Sequence, residues 1–213
     1  MSQLHAIQDS GIVAVIRGAK PENMLSIADA LYEGGVRVLE ITVETPKVLH
    51  LIEEVKNSYG EKLIVGAGTV LDAETARATI MAGAEFIFSP NVDVETIRMA
   101  KRYGVISIPG ALTPTEILTA YEQGADMIKV FPAGVFGPRY LKDIQGPLPH
   151  IPLMPTGGVG LDNIADYIKA GAVAAGLGSS LVNAKKLAEA NDYKGLTEKA
   201  KQFVQAVKEA RHQ

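Results

Sequence analysis

Cysteine is missing from all 213 residues. Disulfides, thiolate zinc sites and a cysteine nucleophile are therefore excluded, and the chain suits a reducing compartment, so a cytoplasmic location is expected. No apolar run approaches the roughly 18 residues of a membrane span. The stretch from Met1 to Gly11 holds His5, Gln8 and Asp9 instead of a charged start and an apolar core, so no secretory signal is expected there. The formal net charge is only −3, which gives no polyanion-binding surface; neither nucleic acid nor membrane is an expected partner. Linkers and low-complexity tracts are absent too, and a hydrophobic fraction of 47% excludes disorder. What these absences leave is a globular chain, organised as one domain over residues 1–213, in which one local site could still hold a small anionic substrate.

One rhythm runs through the chain. Apolar, β-type runs at residues 12–16, 38–42, 63–67, 86–89, 105–108, 127–131, 152–155 and 173–177 alternate with amphipathic helical stretches. Residues 21–32 carry Met24, Leu25, Ala28 and Leu31 on one helical face, and residues 46–57 carry Leu49, Ile52 and Val55. Further helices begin near Ala73, Val94, Pro114, Pro138 and Leu161, and the last covers residues 196–210. Gly34-Gly35, Gly83, Gly104, Gly124 and Gly171 follow helical stretches as C-terminal caps do, and Pro21, Pro46 and Pro114 stand at helix starts. Eight β/α repeats predict a (β/α)8 TIM barrel of one α/β domain, with an N-terminal helical segment. An open doubly wound sheet is the rival, but its edge strands should be more polar than these runs.

In such a barrel the chemistry sits at the C-terminal ends of the strands. The polar residues there are Arg17 after the first strand, Glu40 and Thr42 in the second, and Thr69 after the third. Ser89-Pro90-Asn91 follows the fourth, Lys129 lies in the sixth, and Thr156-Gly157-Gly158 and Gly178-Ser179-Ser180 follow the last two. Lys129 is the most informative, because it interrupts an apolar strand. A lysine is seldom fully buried without a partner, and burial lowers its pKa and frees a nucleophilic amine. An edge strand with Lys129 in solvent is the plainer reading. Side chains alternate along strands, so Val38, Glu40 and Thr42 share one face, and Met127, Lys129 and Phe131 share another. If both faces point inward, Glu40 and Lys129 meet in the barrel, either as a structural ion pair or as a reacting pair. The Gly157-Gly158 turn lets backbone N–H groups approach a ligand, and Gly178-Ser179-Ser180 adds amides and hydroxyls at the start of the last helix. His5, His50, His150 and His212 are scattered outside the strand ends with no metal-ligand spacing.

The ordered set Val15-Ile16-Arg17, Glu40-Ile41-Thr42, Gly66-Ala67-Gly68-Thr69-Val70, Ser89-Pro90, Pro109-Gly110, Lys129-Val130-Phe131-Pro132-Ala133, Pro155-Thr156-Gly157-Gly158 and Gly178-Ser179 resembles the bacterial KDPG/KHG aldolase family over essentially the whole chain. The resemblance implies a class I aldolase that reversibly cleaves 2-keto-3-deoxy-6-phosphogluconate to pyruvate and glyceraldehyde 3-phosphate. Some relatives cleave 4-hydroxy-2-oxoglutarate to pyruvate and glyoxylate. It implies a homotrimer, a small 2-keto acid substrate, and neither metal nor cofactor, the substrate being held as a covalent Schiff base. It matches Lys129 to the Schiff-base lysine and Glu40 to the general acid/base. Arg17, Thr69, Pro90, Thr156, Gly157, Gly158, Gly178 and Ser179 fall to substrate binding. Many relatives carry arginine where Glu44 stands, which reverses a charge near an anionic substrate. Phe136-Gly137-Pro138-Arg139-Tyr140 and Ser89-Pro90-Asn91 look like the branch that cleaves the 6-phosphogalactonate epimer. A phosphosugar isomerase or decarboxylase on the same barrel, with no Schiff base, is the alternative enzyme; a phosphosugar-binding protein without turnover is the alternative outside catalysis.

Overall fold

The computed structural model describes residues 2–212; Met1 and Gln213, the two ends of the expected 1–213 unit, lie outside the described residues. The strands are β1 (Ile12–Ile16), β2 (Val38–Thr42), β3 (Ile64–Gly68), β4 (Phe86–Phe88), β5 (Ile106–Ile108), β6 (Gly110–Ala111), β7 (Ile128–Val130), β8 (Leu153–Pro155) and β9 (Ala175–Leu177). The helices are α1 (Gln3–Ser10), α2 (Pro21–Glu33), α3 (Val48–Tyr59), α4 (Ala73–Met81), α5 (Val94–Arg102), α6 (Pro114–Glu122), α7 (Gly137–Gln145), α8 (Ile164–Lys169), α9 (Ala184–Ala190) and α10 (Tyr193–Arg211). Their starts are set locally. Asp72 and Asp93 accept from the third amides of α4 and α5, and Thr113 with Glu116 forms a capping box ahead of Pro114.

All strand pairings are parallel, in the orders β5-β4-β3-β2-β1-β9 and β6-β7-β8. The two sets close on each other. β5 and β6 are halves of one barrel strand divided at Pro109, which has no N–H for the ladder; its carbonyl accepts from the Lys129 amide at 2.9 Å. At the other seam Val173 N donates to Leu153 O at 3.0 Å, and Thr156 bridges to Gly176. Eight strand positions thus complete the expected (β/α)8 barrel.

Alternation sorts each strand into two faces. Ile12, Ala14, Ile16, Leu39 and Ile41 point outward and are buried with the helices. Val13, Val38, Phe86, Phe88, Ile106, Ile108, Met127 and Met154 form a separate inner core, and Ile7 of α1 joins it. Each such fully buried side chain stabilises the fold by roughly 1.5–3 kcal/mol, which offsets the cost of polar groups placed among them. Among the described residues no helix is long and apolar enough to cross a membrane.

Three expectations shift. The second crossover helix starts at Val48 instead of Pro46, with Lys47 in the left-handed region at φ 61°; the buried face becomes Leu51, Ile52 and Val55 and leaves Leu49 exposed. The seventh crossover begins at Ile164, three residues after Leu161. Gly178-Ser179-Ser180 does not start the last helix. It lies in a turn where the amides of Leu181 and Val182 bond Gly178 O, and the unforeseen helix α9 follows.

Candidate active site

The inner face of β2 continues from Val38 to Glu40, and that of β7 from Met127 to Lys129, so both ionisable groups stand beside the same apolar layer. Glu40 is 1% exposed and Lys129 6%. Room for them comes from β3, whose inward positions Gly66 and Gly68 lack side chains. A Cβ at Gly66 would strike the Phe86 ring, and one at Gly68 would overlap the Glu40 carboxylate. The Lys129 amine lies 4.1 Å from the centre of the Phe88 ring and 4.7 Å from that of Phe131. Lys129 and Glu40 line one cavity of about 480 Å³; among the described residues they form no direct ion pair, and Glu40 Oε2 is buried with no hydrogen-bond partner.

Both groups are driven toward their neutral forms. Burial pushes the Glu40 carboxyl up to about 7, against the opposing pull of Lys129 and Arg17. Burial lowers the Lys129 amine, opposed first by the charge of Glu40. The aromatic faces favour an ammonium modestly, but desolvation dominates. A neutral amine beside a protonated carboxyl is the state from which an amine can add to a carbonyl while an acid supplies the proton.

Arg17, just past β1, lines the same cavity. Its guanidinium donates to Glu44 Oε1 at 3.0 Å and to the Thr69 hydroxyl at 3.2 Å. The loop beneath it is fixed by the Gly18 amide, which donates to Thr45 Oγ1, itself 3.3 Å from the buried Thr42 hydroxyl. Thr69 has φ 58°, a left-handed conformation that strains a β-branched residue by roughly 1–3 kcal/mol. Such strain at the end of a barrel strand marks a position held for its geometry.

The opposite side of the cavity is backbone. Gly157 and Gly158 take φ of 82° and 79°, and a Cβ at Gly158 would crowd Gly134 Cα at 2.8 Å. Asn163 clamps this turn, accepting from Gly160 N and donating to Gly158 O, both at 2.9 Å. Among the described residues, no hydrogen-bond partner takes the amides of Gly157, Gly158, Gly178, Ser179 or Ser180. All five residues line the cavity. Unpaired N–H groups converging from two turns suit an anion. Among the described residues Thr156 Oγ1, which lines the same cavity, is buried without a partner as well.

Of the residues expected at the site, Lys129, Glu40, Arg17, Thr156, Gly157, Gly158, Gly178 and Ser179 are brought together. Thr69 does not line the cavity and reaches it only through Arg17; Pro90 does not line it either, and its backbone packs against Gly110. Asn163, Phe88 and Phe131 were not singled out by chemistry. Phe131 shares the alternation of Lys129 and was legible on that ground; Asn163 acts only on backbone and left no signal. A larger cavity of about 920 Å³ lies at the far end, beside Gln8, Lys169 and Arg211. There the Arg211 guanidinium is already taken by the carbonyls of Gln8, Asp9 and Val173.

Residues 4–198 match the model of a family described as KDPG and KHG aldolase. The chain is 38% identical over 200 residues to a 2-dehydro-3-deoxy-6-phosphogalactonate aldolase of Escherichia coli, covering 93% of this chain and 95% of that one. It is 41% identical over 162 residues to a 2-dehydro-3-deoxy-phosphogluconate aldolase of Pseudomonas aeruginosa, covering 76% and 73%. Among solved structures, it superposes with TM-score 0.87 and 28% identity on the KDPG aldolase of Legionella pneumophila, captured with pyruvate as a covalent carbinolamine intermediate at low pH, over 94% of this chain and 97% of that one.

Proposed function

The chain belongs to the KDPG and KHG aldolase family, and from that premise we propose that it is a class I aldolase, a carbon–carbon lyase that reversibly cleaves 2-keto-3-deoxy-6-phosphogluconate to pyruvate and glyceraldehyde 3-phosphate. The observation that carries this reading is the buried Lys129 amine, lowered by desolvation and facing a cavity shared with an unpartnered Glu40 carboxyl.

Lys129 Nζ attacks the C2 carbonyl, and Glu40 supplies the proton that turns its oxygen into a hydroxyl. Loss of water leaves an iminium. The iminium draws the C3–C4 bonding pair as the C4 hydroxyl gives up its proton to the Glu40 carboxylate, releasing the aldehyde and leaving an enamine. Protonation at C3 and hydrolysis then free pyruvate and the amine. The electron sink is the substrate's own iminium, so the step calls on no cofactor or metal. Arg17, ordered by Thr69, holds the keto-acid carboxylate with the Thr156 hydroxyl. The free amides of Gly157, Gly158, Gly178 and Ser179 hold the distal phosphate, and Pro90, packed against Gly110, is assigned to substrate binding with them. We further assign the unit 1–213 to one catalytic domain, in a cytoplasmic homotrimer.

Incubation with pyruvate and borohydride is expected to add a reduced three-carbon adduct at Lys129, read by peptide mass spectrometry. An unmodified Lys129 peptide, with turnover intact, points instead to a phosphosugar isomerase or decarboxylase with no Schiff base. One observation favours a second substrate: the 38% identity to a phosphogalactonate aldolase spans nearly both chains. The two sugar acids differ at the C4 hydroxyl, so kcat/KM measured on each epimer separates them.

A further inference from the structure

We infer that Glu44 is a specificity-determining residue, which holds Arg17 over one side of the cavity mouth and biases the enzyme against substrates that carry a carboxylate directly on C4. The inference rests on the aldolase reading above.

Among the residues lining the cavity, only Arg17 and Lys129 are cationic. Once Lys129 is an iminium it is covalently committed, so Arg17 is the one guanidinium left for substrate anions. β1 lies between β2 and β9 in the sheet order, so Arg17 has neighbours on both sides. Its guanidinium is engaged from the β2 side, by Glu44, and from beyond β2, by Thr69, away from the turns that follow β8 and β9. The mouth is therefore divided. On one side an arginine has its charge offset by a carboxylate at 3.0 Å; on the other lie uncommitted backbone amides.

Candidate substrates share the 2-keto acid end and differ in where the second anion sits. In the phosphorylated six-carbon acids, phosphorus is four bonds from C4 and extends toward the free amides. In the five-carbon 4-hydroxy-2-keto dicarboxylate, the second carboxylate is attached to C4 and cannot extend so far. It must share Arg17 with the first carboxylate, and Glu44 repels it there. The Glu44 side chain is 47% exposed, so this repulsion is screened by solvent and salt and amounts to roughly tenfold in relative rate.

The test is the ratio of kcat/KM for 4-hydroxy-2-oxoglutarate to that for the phosphorylated acid, in wild type, Glu44→Gln and Glu44→Ala. Loosening of Arg17 alone lowers the ratio, because the dicarboxylate leans on Arg17 with both its anions, so a rise in the ratio isolates the charge at position 44. Both variants are expected to raise the ratio about tenfold, and the ratio is expected to rise with ionic strength more steeply in wild type than in either variant. A ratio unmoved or lowered, with its salt dependence unaltered, would mean that Glu44 only braces Arg17, and the inference would fall. If the wild type cleaves neither acid, the aldolase reading is overturned and this inference goes with it.

Discussion

Lys129→Met is expected to lower kcat/KM by about ten-thousand-fold or more, while leaving the fold intact and Tm unchanged or raised. The rate argument is that the covalent step is lost outright. An amine held at a substrate carbonyl in a buried site acts at an effective molarity of roughly 10⁵ M or above, and a thioether cannot replace it. The stability argument runs the other way. Lys129 is 6% exposed, sits against Phe88 and Phe131, and has no direct ion pair to lose. Methionine keeps the length and volume and removes a polar head that burial disfavours. Alanine would instead leave a cavity beside two rings, at a cost of roughly 2 kcal/mol or more. The measurements are steady-state cleavage, borohydride trapping with pyruvate, and thermal unfolding by circular dichroism. Turnover near the wild-type rate in a well-folded Lys129→Met would refute the nucleophile.

Lys129 was legible because a strand has period two. Once Met127 and Phe131 were placed on its face, an inward Met127 required an inward Lys129, and both are buried. Glu40 followed from Val38 by the same rule. The barrel was legible because every strand is covered on both faces and reads as apolar. Where reading failed, the cause was an interaction between residues distant in sequence. Nothing local to Glu44 shows that its partner is Arg17, 27 positions earlier. Nothing local to Gly68 shows that it is the absence of a side chain there that admits Glu40. Helix α9 was missed because Leu187 is the one large apolar side chain among its seven residues, too little to mark a hydrophobic stripe after the Asn183 cap. The rotated face of α3 came from the turn at Thr45-Pro46-Lys47, whose left-handed residue is a lysine and not a glycine.

Glu40→Gln is expected to lower kcat by roughly a hundred- to ten-thousand-fold, the range for loss of a positioned proton carrier. The pH dependence makes the expectation specific. Burial raises Glu40 from 4.5 to about 7, and in the same cavity the Lys129 amine is lowered. Because the two interact, the acid limb of kcat/KM belongs to the pair, and it is expected near pH 7 in the wild type and displaced in Glu40→Gln. Stability should move in the opposite sense. With its folded pKa above its unfolded value, Glu40 binds its proton more tightly in the folded state. Its contribution is full below about pH 4.5 and is lost as pH rises through about 7. At about 1.36 kcal/mol per pH unit, a rise from 4.5 to about 7 bounds the loss at roughly 3–4 kcal/mol. Glutamine cannot ionise, so Glu40→Gln should lack this decline and be more stable than the wild type at pH 8, though nearly inactive. Denaturant midpoints of both proteins at pH 5 and pH 8 would decide it. Parallel pH dependences would show that Glu40 ionises freely in the folded state, and the dry acid/base role would be lost with it. A carboxyl that weakens the fold at the pH where it works is what a site held for chemistry, and not for packing, should display.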